Sequence, residues 1–144
     1  MTEPAQLITD MGRKARSAFS QLTGVSDAQK SAALTAAARH LRDDQNLILA
    51  ANQRDMASAR ERDLSDSMLD RLMIDAERLE AIAAAVEHVG KLPDPVGQMI
   101  DRSERPNGLV MERVRVPLGV IGIIYESRPN VTADAAALAL RSGN

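Results

Sequence analysis

The segment VPLGVIGIIYESRPNVTADAAALALRSGN, residues 116–144, decides how this chain is interpreted. Aliphatic residues run without alternation over 120–125, a polar turn covers 126–130, and an Ala/Leu-rich stretch follows over 131–141. This order predicts a strand, a turn and a helix. A continuous apolar strand is typical of a parallel sheet covered on both faces, and ligands collect at the carboxyl ends of such strands. The turn is therefore where we expect chemistry.

Composition and charge exclude several classes of function. Of the 144 residues, 44% are hydrophobic and 26% charged, as in an ordinary globular domain. Because 18 Lys and Arg face 20 Asp and Glu, there is no global positive field for nucleic acid or an anionic membrane, and we expect neither as a partner. No run approaches the ~20 apolar residues of a membrane span, and a signal peptide's pattern is absent. We therefore expect a cytoplasmic protein.

Cysteine is absent from these residues, which excludes a disulfide framework, a thiolate metal site and a thiol nucleophile within them. His40 and His88 stand in predicted helices far apart in sequence, and we expect surface positions rather than ligands for both. No spacing of His, Asp and Glu indicates a metal site, so none is predicted. The dinucleotide fingerprint GxGxxG and the phosphate-binding P-loop are also missing.

Apolar residues spaced by three and four predict helices before residue 92, over about residues 5–22, 27–42, 45–62, a short stretch opened by Ser65, and 75–89. Ser26 and Gln29 have the form of a capping box at the second helix. Asp75 is expected to cap the fifth helix, and Gly90 to stop it. Gly143 suits the end of the final helix.

A hairpin is predicted between the helices and the opening segment. Residues 98–104 and 109–116 flank Arg105-Pro106-Asn107-Gly108, whose Asn-Gly pair tolerates the positive φ of a tight turn. Valines alternate with arginines between residues 113 and 116, which predicts a ribbon with one polar face. Such a half-exposed ribbon belongs at a sheet edge or in an oligomer contact.

Two side chains of the turn are candidates for chemistry. Arg128 opposes the partial positive charge of the helix N-terminus, so it is easier to understand if an anion binds there; the alternative is an exposed or salt-bridged arginine. Asn130 has two interpretations, as a cap that accepts a backbone N–H or as an amide that donates to an oxyanion in acyl transfer. Tyr125 and Glu126 stand at the strand's end, close to any ligand in the crevice.

The opening segment resembles the γ-glutamyl phosphate reductase family, part of the aldehyde dehydrogenase superfamily. LAAN at 49–52 with Asp55, MLDRL at 68–72 and DPVGQ at 94–98 occur in the expected order, so the resemblance covers essentially all 144 residues. It implies an α/β fold, here the N-terminal part of an aldehyde-dehydrogenase-like fold, mostly helical with a β-hairpin and the first strand-helix unit of a Rossmann-like domain. The implied divisions are a helical part of the dinucleotide-binding domain (1–97), the β-hairpin of the oligomerisation region (98–116), and a truncated first strand-turn-helix of the dinucleotide-binding fold (117–144).

The resemblance also implies an activity in proline biosynthesis, the NADPH-dependent reduction of L-glutamate 5-phosphate to L-glutamate 5-semialdehyde with release of phosphate. In the family a cysteine attacks the acyl phosphate, phosphate leaves, and the thioester takes a hydride. By position in the motif, Asn130 would match the oxyanion asparagine. Ile124, Tyr125 and Glu126 would lie along NADP(H), and Arg128 would be available for a phosphate or carboxylate of the substrate.

One departure from the family is large. The family's chain is close to three times as long, and its nucleophilic cysteine falls beyond Asn144. We therefore expect an N-terminal fragment that is inactive alone and that belongs to a homo-oligomer when full length. The residues also leave open an alternative of another class, a non-catalytic helical binding or assembly module, which the amphipathic helices and the half-exposed ribbon would suit.

Overall fold

The computed structural model describes residues 3–126 and 128–144. The elements, in chain order, are α1 (Pro4–Leu22), α2 (Asp27–Asp43), α3 (Gln45–Glu61), α4 (Asp66–Leu72), α5 (Ala76–Lys91), β1 (Met99–Glu104), β2 (Val110–Val114) and α6 (Asn130–Arg141). The predicted helices and the hairpin are thereby confirmed, with small differences at their ends. The mostly helical architecture with one antiparallel hairpin is the predicted one.

The predicted caps form as expected. Ser26 Oγ accepts from the backbone N–H of Gln29 at 3.3 Å, and Gln29 Oε1 accepts from the N–H of Ser26 at 2.9 Å. Asp75 Oδ1 accepts from the N–H of Arg78 at 2.7 Å. Each bond satisfies a donor that the first helical turn leaves unpaired.

Glycine plays different parts in α5 and α6. The prediction that Gly90 stops α5 is wrong, because the helix continues to Lys91 and Gly90 is buried in it. A Cβ at Gly90 would lie 3.2 Å from Leu34 Cβ, so the missing side chain lets α2 approach α5 closely. Gly143, in contrast, has φ 74° and follows the end of α6, as predicted. The next N–H, of Asn144, bonds to the carbonyl of Ala139 at 2.8 Å and completes the C-terminal cap.

The core lies where α2, α5 and α6 meet. Its buried side chains are Leu34, Ala38, Val86 and Ala137, with Leu41, Val89, Ala133 and Leu140 packed around them. Small residues at the centre bring the helix axes close together, and the larger aliphatic residues close the edges. α3 packs beside this core, against α2 and α5, and α4 packs against α3.

Asn52 joins α3 to the connection between α4 and α5. It is buried, its Nδ2 donates to the carbonyl of Leu72 at 2.8 Å, and its Oδ1 accepts from the N–H of Ile74 at 2.8 Å. Both ends of the amide are used, so the side chain replaces the backbone partners that this irregular connection lacks.

A buried polar junction fixes the ends of α2, α5 and α6 to the following loop. Lys30 Nζ lies 2.9 Å from Asp94 Oδ2. Arg141 pairs with Asp27 at 2.6 Å and donates to Ser31 Oγ at 3.0 Å and to the Leu92 carbonyl. Burial by itself would raise the pKa of Asp94, but hydrogen bonds from Lys30 and the Val96 N–H outweigh it and hold that pKa below its ordinary value.

The hairpin is more exposed than its alternation predicts. Gly108 has φ 82° and its N–H bonds to the carbonyl of Arg105 at 2.8 Å, so the glycine of the Asn-Gly pair supplies the left-handed residue of the turn. β1 and β2 pair antiparallel, with an irregularity between Met99 and Asp101. Every residue of β2 is exposed, so the prediction of one covered face is not met. Within the described residues, the ribbon pairs only with itself.

The predicted buried strand over 120–125 is not formed. This stretch has no strand assignment, Val120 and Ile121 are about half exposed (44% and 46%), and Ile124 is fully exposed. A strand exists only through hydrogen bonds to a neighbour, and no described segment lies beside this one to provide them. Its aliphatic pattern is thus left without the sheet that the pattern predicts.

α1 is the least attached helix. None of its residues is buried, and Leu7, Ile8 and Met11 of the predicted apolar stripe are more than half exposed. Its C-terminal end, with Phe19 and Leu22, lines a hollow together with residues 120–121 and the end of α6. Among the described residues, no helix combines the length and the apolar character that a membrane span requires.

Candidate functional site

A cleft of about 300 Å³ opens where the start of α6 faces α4 and α5. Its polar residues are Arg71, Arg78, Asn130 and Asp134, and its apolar lining includes Ile74 and Ile82, with Met73, Ala81, Ala85 and Pro129. Charged groups of both signs therefore surround an apolar floor, which is the composition of a small-molecule site.

Asn130 enters this cleft from the first turn of α6. It is the first residue of the helix, and Pro129 occupies the cap position without a side-chain cap bond. Asn130 Nδ2 donates to Asp134 Oδ2 at 2.9 Å, one turn along the same helix. The capping interpretation of Asn130 is therefore wrong. The amide nitrogen carries a second N–H, so the side chain retains a donor for a ligand.

The two arginines of the cleft differ in their bonding. Arg78 Nη2 lies 2.6 Å from Asp70 Oδ1, and Arg78 also donates to the backbone carbonyls of Asp70 and Met73. The hydrogen bond to Asp70 raises the pKa of Arg78. Arg71 is exposed, and its side chain forms no ion pair or hydrogen bond among residues 3–126 and 128–144. One guanidinium is thus committed to the fold and the other faces the cleft.

Sequence reasoning missed Arg71, Arg78 and Asp134 as site residues. The MLDRL motif contains Arg71, but in sequence it served only as part of the family resemblance. No local spacing relates Arg71 to Asp134, which lies 63 positions later. The polar faces of α4 and α5 show as solvent-exposed charges in sequence. Their convergence on α6 is a product of helix packing, so a pattern within single helices could not reveal it.

The other predicted site residues lie outside this cleft. Tyr125 is partly exposed and its hydroxyl bonds to Thr132 Oγ1, which ties the extended segment to the first turns of α6. Ile124, Glu126 and Arg128 are exposed, and the described residues give no side-chain partner to any of them. Arg128 does stand at the entrance to α6, where the Val131 N–H bonds to its carbonyl at 3.1 Å. Ser127, between Glu126 and Arg128, lies outside the described residues.

A second, larger hollow of about 640 Å³ lies between α2, α3, α5 and α6. Its lining is mainly aliphatic and includes core residues such as Leu34 and Val86 as well as Leu47, which is 68% exposed. In the part of the chain that is described, no group of three or more His, Asp or Glu side chains converges in a way that could hold a metal ion.

Comparison with known proteins identifies the relatives of this chain. It is 61% identical over 142 residues to the γ-glutamyl phosphate reductase of Sphingopyxis alaskensis, which includes 99% of this chain and 33% of that protein. The γ-glutamyl phosphate reductase of Rhizorhabdus wittichii is 59% identical over 138 residues, 96% of this chain and 32% of that protein. The chain thus spans about a third of the length of these relatives. No protein-family model matches it.

Solved structures give the same result for the fold. The crystal structure of γ-glutamyl phosphate reductase from Thermotoga maritima matches 94% of this chain with a TM-score of 0.89 and 43% identity, over 33% of that chain. The Saccharomyces cerevisiae enzyme of the same name matches 94% with a TM-score of 0.88 and 34% identity, over 34% of that chain. In sequence and in fold, the chain therefore matches the N-terminal part of γ-glutamyl phosphate reductases.

Proposed function

We propose that the protein containing this chain catalyses the NADPH-dependent reduction of L-glutamate 5-phosphate to L-glutamate 5-semialdehyde and phosphate, as a step of proline biosynthesis. The observation that carries the proposal is the 61% identity over 142 residues to a protein named γ-glutamyl phosphate reductase. Identity at this level over nearly the whole chain supports a shared chemistry as well as a shared fold.

The proposed chemistry requires a nucleophile that these residues do not contain. The chain has no cysteine, so the thiol that attacks the acyl phosphate must come from another part of the protein, and the 144 residues alone are expected to be inactive. Their contribution is electrostatic. When a thiolate adds to the acyl carbon, negative charge develops on the carbonyl oxygen, and we propose that the second N–H of Asn130, which its bond to Asp134 leaves unused, donates to it.

The extended segment before α6 suits a bound dinucleotide. Ile124 is fully exposed and offers an apolar surface, Glu126 offers an exposed carboxylate for hydroxyl groups, and Tyr125 is held by Thr132. We propose that these residues lie along NADP(H), which supplies the hydride when bound. Arg128, exposed beside the N-terminus of α6, is proposed to bind a phosphate or carboxylate of the substrate.

The division of the chain also supports assembly into a larger protein. We propose that residues 1–97 and 117–144 pack into a dinucleotide-binding domain and that the hairpin of residues 98–116 contacts another subunit of a homo-oligomer in the cytoplasm. The apolar side chains Met99, Val110 and Met111 on the uncovered ribbon support this proposal. The same feature would suit a non-catalytic assembly module, so activity must decide between the two.

Genetic complementation tests the activity. The full reading frame that contains this chain is expected to restore proline-independent growth to a strain without γ-glutamyl phosphate reductase. The purified product is expected to oxidise L-glutamate 5-semialdehyde in the presence of phosphate and NADP⁺, the reverse reaction. A soluble product with neither property would contradict the proposal and favour the assembly module.

Asn130→Ala in the same protein separates a chemical role from a structural one. Loss of one oxyanion donor is expected to lower kcat by about 10²- to 10³-fold. The unfolding midpoint should change little, because Asn130 does not cap α6. Equal losses of turnover and stability would remove Asn130 from the chemistry.

Arg128→Gln should raise the KM of the substrate or of phosphate, and unchanged Michaelis constants would exclude Arg128 from the site.

A further inference from the structure

The cleft at the start of α6 presents two opposite charges that do not neutralise each other. Arg71 comes from α4 and Asp134 from α6, and both line the cleft. In the described part of the chain, the longest nitrogen–oxygen distance of a salt bridge is 4.0 Å, and no salt bridge joins Arg71 to Asp134. The other cation, Arg78, is bound to Asp70 at 2.6 Å. The cleft therefore keeps one available cation and one available anion.

This pair of charges selects among classes of ligand. A phosphate or a dicarboxylate would be attracted by Arg71 but repelled by Asp134. A protonated amine would be attracted by Asp134 but repelled by Arg71. A zwitterion satisfies both groups, because its carboxylate can accept from the guanidinium while its ammonium donates to the carboxylate. The volume of about 300 Å³ is at the small end of ligand sites, as expected for an amino acid.

We propose that this cleft recognises the α-amino-acid end of the glutamyl substrate, with Arg71 binding the α-carboxylate and Asp134 the α-ammonium group. The proposal rests on the proposed function and gives the substrate a direction. Asn130 and Asp134 stand one turn apart on α6 and their side chains are in contact at 2.9 Å, so both can face the same glutamyl group. The ammonium group at Asp134 would thus leave the acyl carbon within reach of Asn130.

Bonding within the cleft supports these roles. Asp134 is partly buried and its described contact is the bond of 2.9 Å from Asn130 Nδ2, which uses one oxygen and leaves the other for a ligand. The apolar side chains Ile74 and Ile82 lie beside the charged groups and would cover the methylene groups of the substrate. Each part of a glutamyl group then has a complementary surface.

The test measures specificity in the reverse reaction of the full-length protein. Its substrates are L-glutamate 5-semialdehyde, 5-oxopentanoate, which lacks the α-amino group, and 4-aminobutanal, which lacks the α-carboxylate. Asp134→Asn removes the charge but keeps an oxygen that can accept from Asn130, and Arg71→Gln removes the guanidinium. Asp55→Asn and Arg62→Gln, at exposed positions that do not line the cleft, are the matched controls.

Asp134→Asn is expected to reduce the preference in kcat/KM for the semialdehyde over 5-oxopentanoate by about tenfold or more. Arg71→Gln should do the same to the preference over 4-aminobutanal. The KM values of phosphate and NADP⁺ should stay unchanged, and Asp134→Glu should restore part of the lost preference. A merely structural defect would lower activity on every substrate equally, and this outcome would overturn the proposal.

The outcomes also separate this proposal from the proposed function. An active wild type whose substrate preferences are unaffected by both cleft variants would overturn the recognition of the amino-acid end alone. A folded wild type without any activity on the semialdehyde would overturn both. Control variants as damaging as the cleft variants would show a general sensitivity of the protein and would also contradict the proposal.

Discussion

The helical body and the exposed ribbon both contain many aliphatic side chains, but these are mostly covered in the body and exposed in the ribbon. In the body formed by α2, α5 and α6, Leu34 is 2% exposed and Ala38 is fully covered. The exposed ribbon comprises the hairpin together with the extended segment after it, residues 97–126. There Val116 is 75% exposed and Ile124 is fully exposed. The ribbon carries more large apolar side chains than these three helices, and each of them is more than 40% exposed.

The difference follows from where each element finds its hydrogen bonds. A helix satisfies its backbone internally, so a helix requires only an apolar face and a neighbour to cover it. A strand must find its backbone partners in another segment. The hairpin provides one partner for itself, and residues 120–125 have none among the described residues. Sequence pattern is therefore sufficient for the body but insufficient for the ribbon.

Leu34→Ala is expected to have the largest effect on the free energy of unfolding. The side chain lies at the centre of the three-helix contact, so truncation leaves a cavity and should cost about 2 to 5 kcal/mol. Urea unfolding of the 144-residue chain measures this effect. Leu118→Ala, at a side chain that is 89% exposed, is the matched control and should be near neutral. Similar losses at both positions would contradict the division into body and ribbon.

Lys30→Met should come next. Lys30 is buried and holds Asp94 at 2.9 Å, so the substitution leaves a largely covered carboxylate without its partner and should cost about 3 kcal/mol. Because Asp94 begins the loop that leads to the hairpin, amide hydrogen exchange should rise in residues 94–98 before it rises in α2. An unchanged exchange pattern would show that the pair does not attach the ribbon to the body.

The same pair predicts a dependence on pH. The folded-state pKa of Asp94 is lowered, so its ionised form contributes stability above the unfolded-state pKa, and that contribution is lost as pH falls through the lowered folded-state pKa. Asp94→Asn should remove this part of the decline between neutral pH and acid. If the free energy of unfolding fell with pH in the same way for the wild type and Asp94→Asn, the result would contradict the pairing.

Asn52→Ala should cost about 1 to 3 kcal/mol, because the Leu72 carbonyl and the Ile74 N–H each lose a buried partner. Asn46→Ala, at an exposed position on the same helix, should change the unfolding midpoint much less. A neutral Asn52→Ala would mean that water replaces both bonds, and the connection between α4 and α5 would then need no side-chain support.

Ile124→Ser is expected to have the smallest effect, within about 0.5 kcal/mol in the 144-residue chain, since the side chain is fully exposed. In the full-length protein Ile124 is proposed to lie along NADP(H) in the dinucleotide-binding domain, and the same substitution should then cost more than about 1 kcal/mol when the dinucleotide is bound. The contrast between the two measurements tests whether this segment belongs to that domain. Equal and negligible costs in both would show that the ribbon stays on the surface.

Particular residues show how far the sequence could be followed. The capping box at Ser26 and Gln29, the cap at Asp75 and the turn glycine Gly108 were predictable because each depends on partners a few residues away. Gly90 was misread because its reason, the approach of Leu34, lies 56 residues away. Asn130 was predicted to be the last residue of the turn but is the first residue of α6, and its bond to Asp134 depends on which residue begins the helix.

The sequence by itself determined the helices, the caps at Ser26 and Asp75, the hairpin turn and the resemblance to γ-glutamyl phosphate reductases, because local hydrogen bonding and motif order are written in neighbouring residues. Tertiary structure alone decided that Arg71, Asn130 and Asp134 share one cleft, that Asn52 serves a connection, and that residues 120–125 stand uncovered. Contacts between distant segments depend on how helices pack and on which backbone groups find partners, and neither is encoded in any single stretch of the chain.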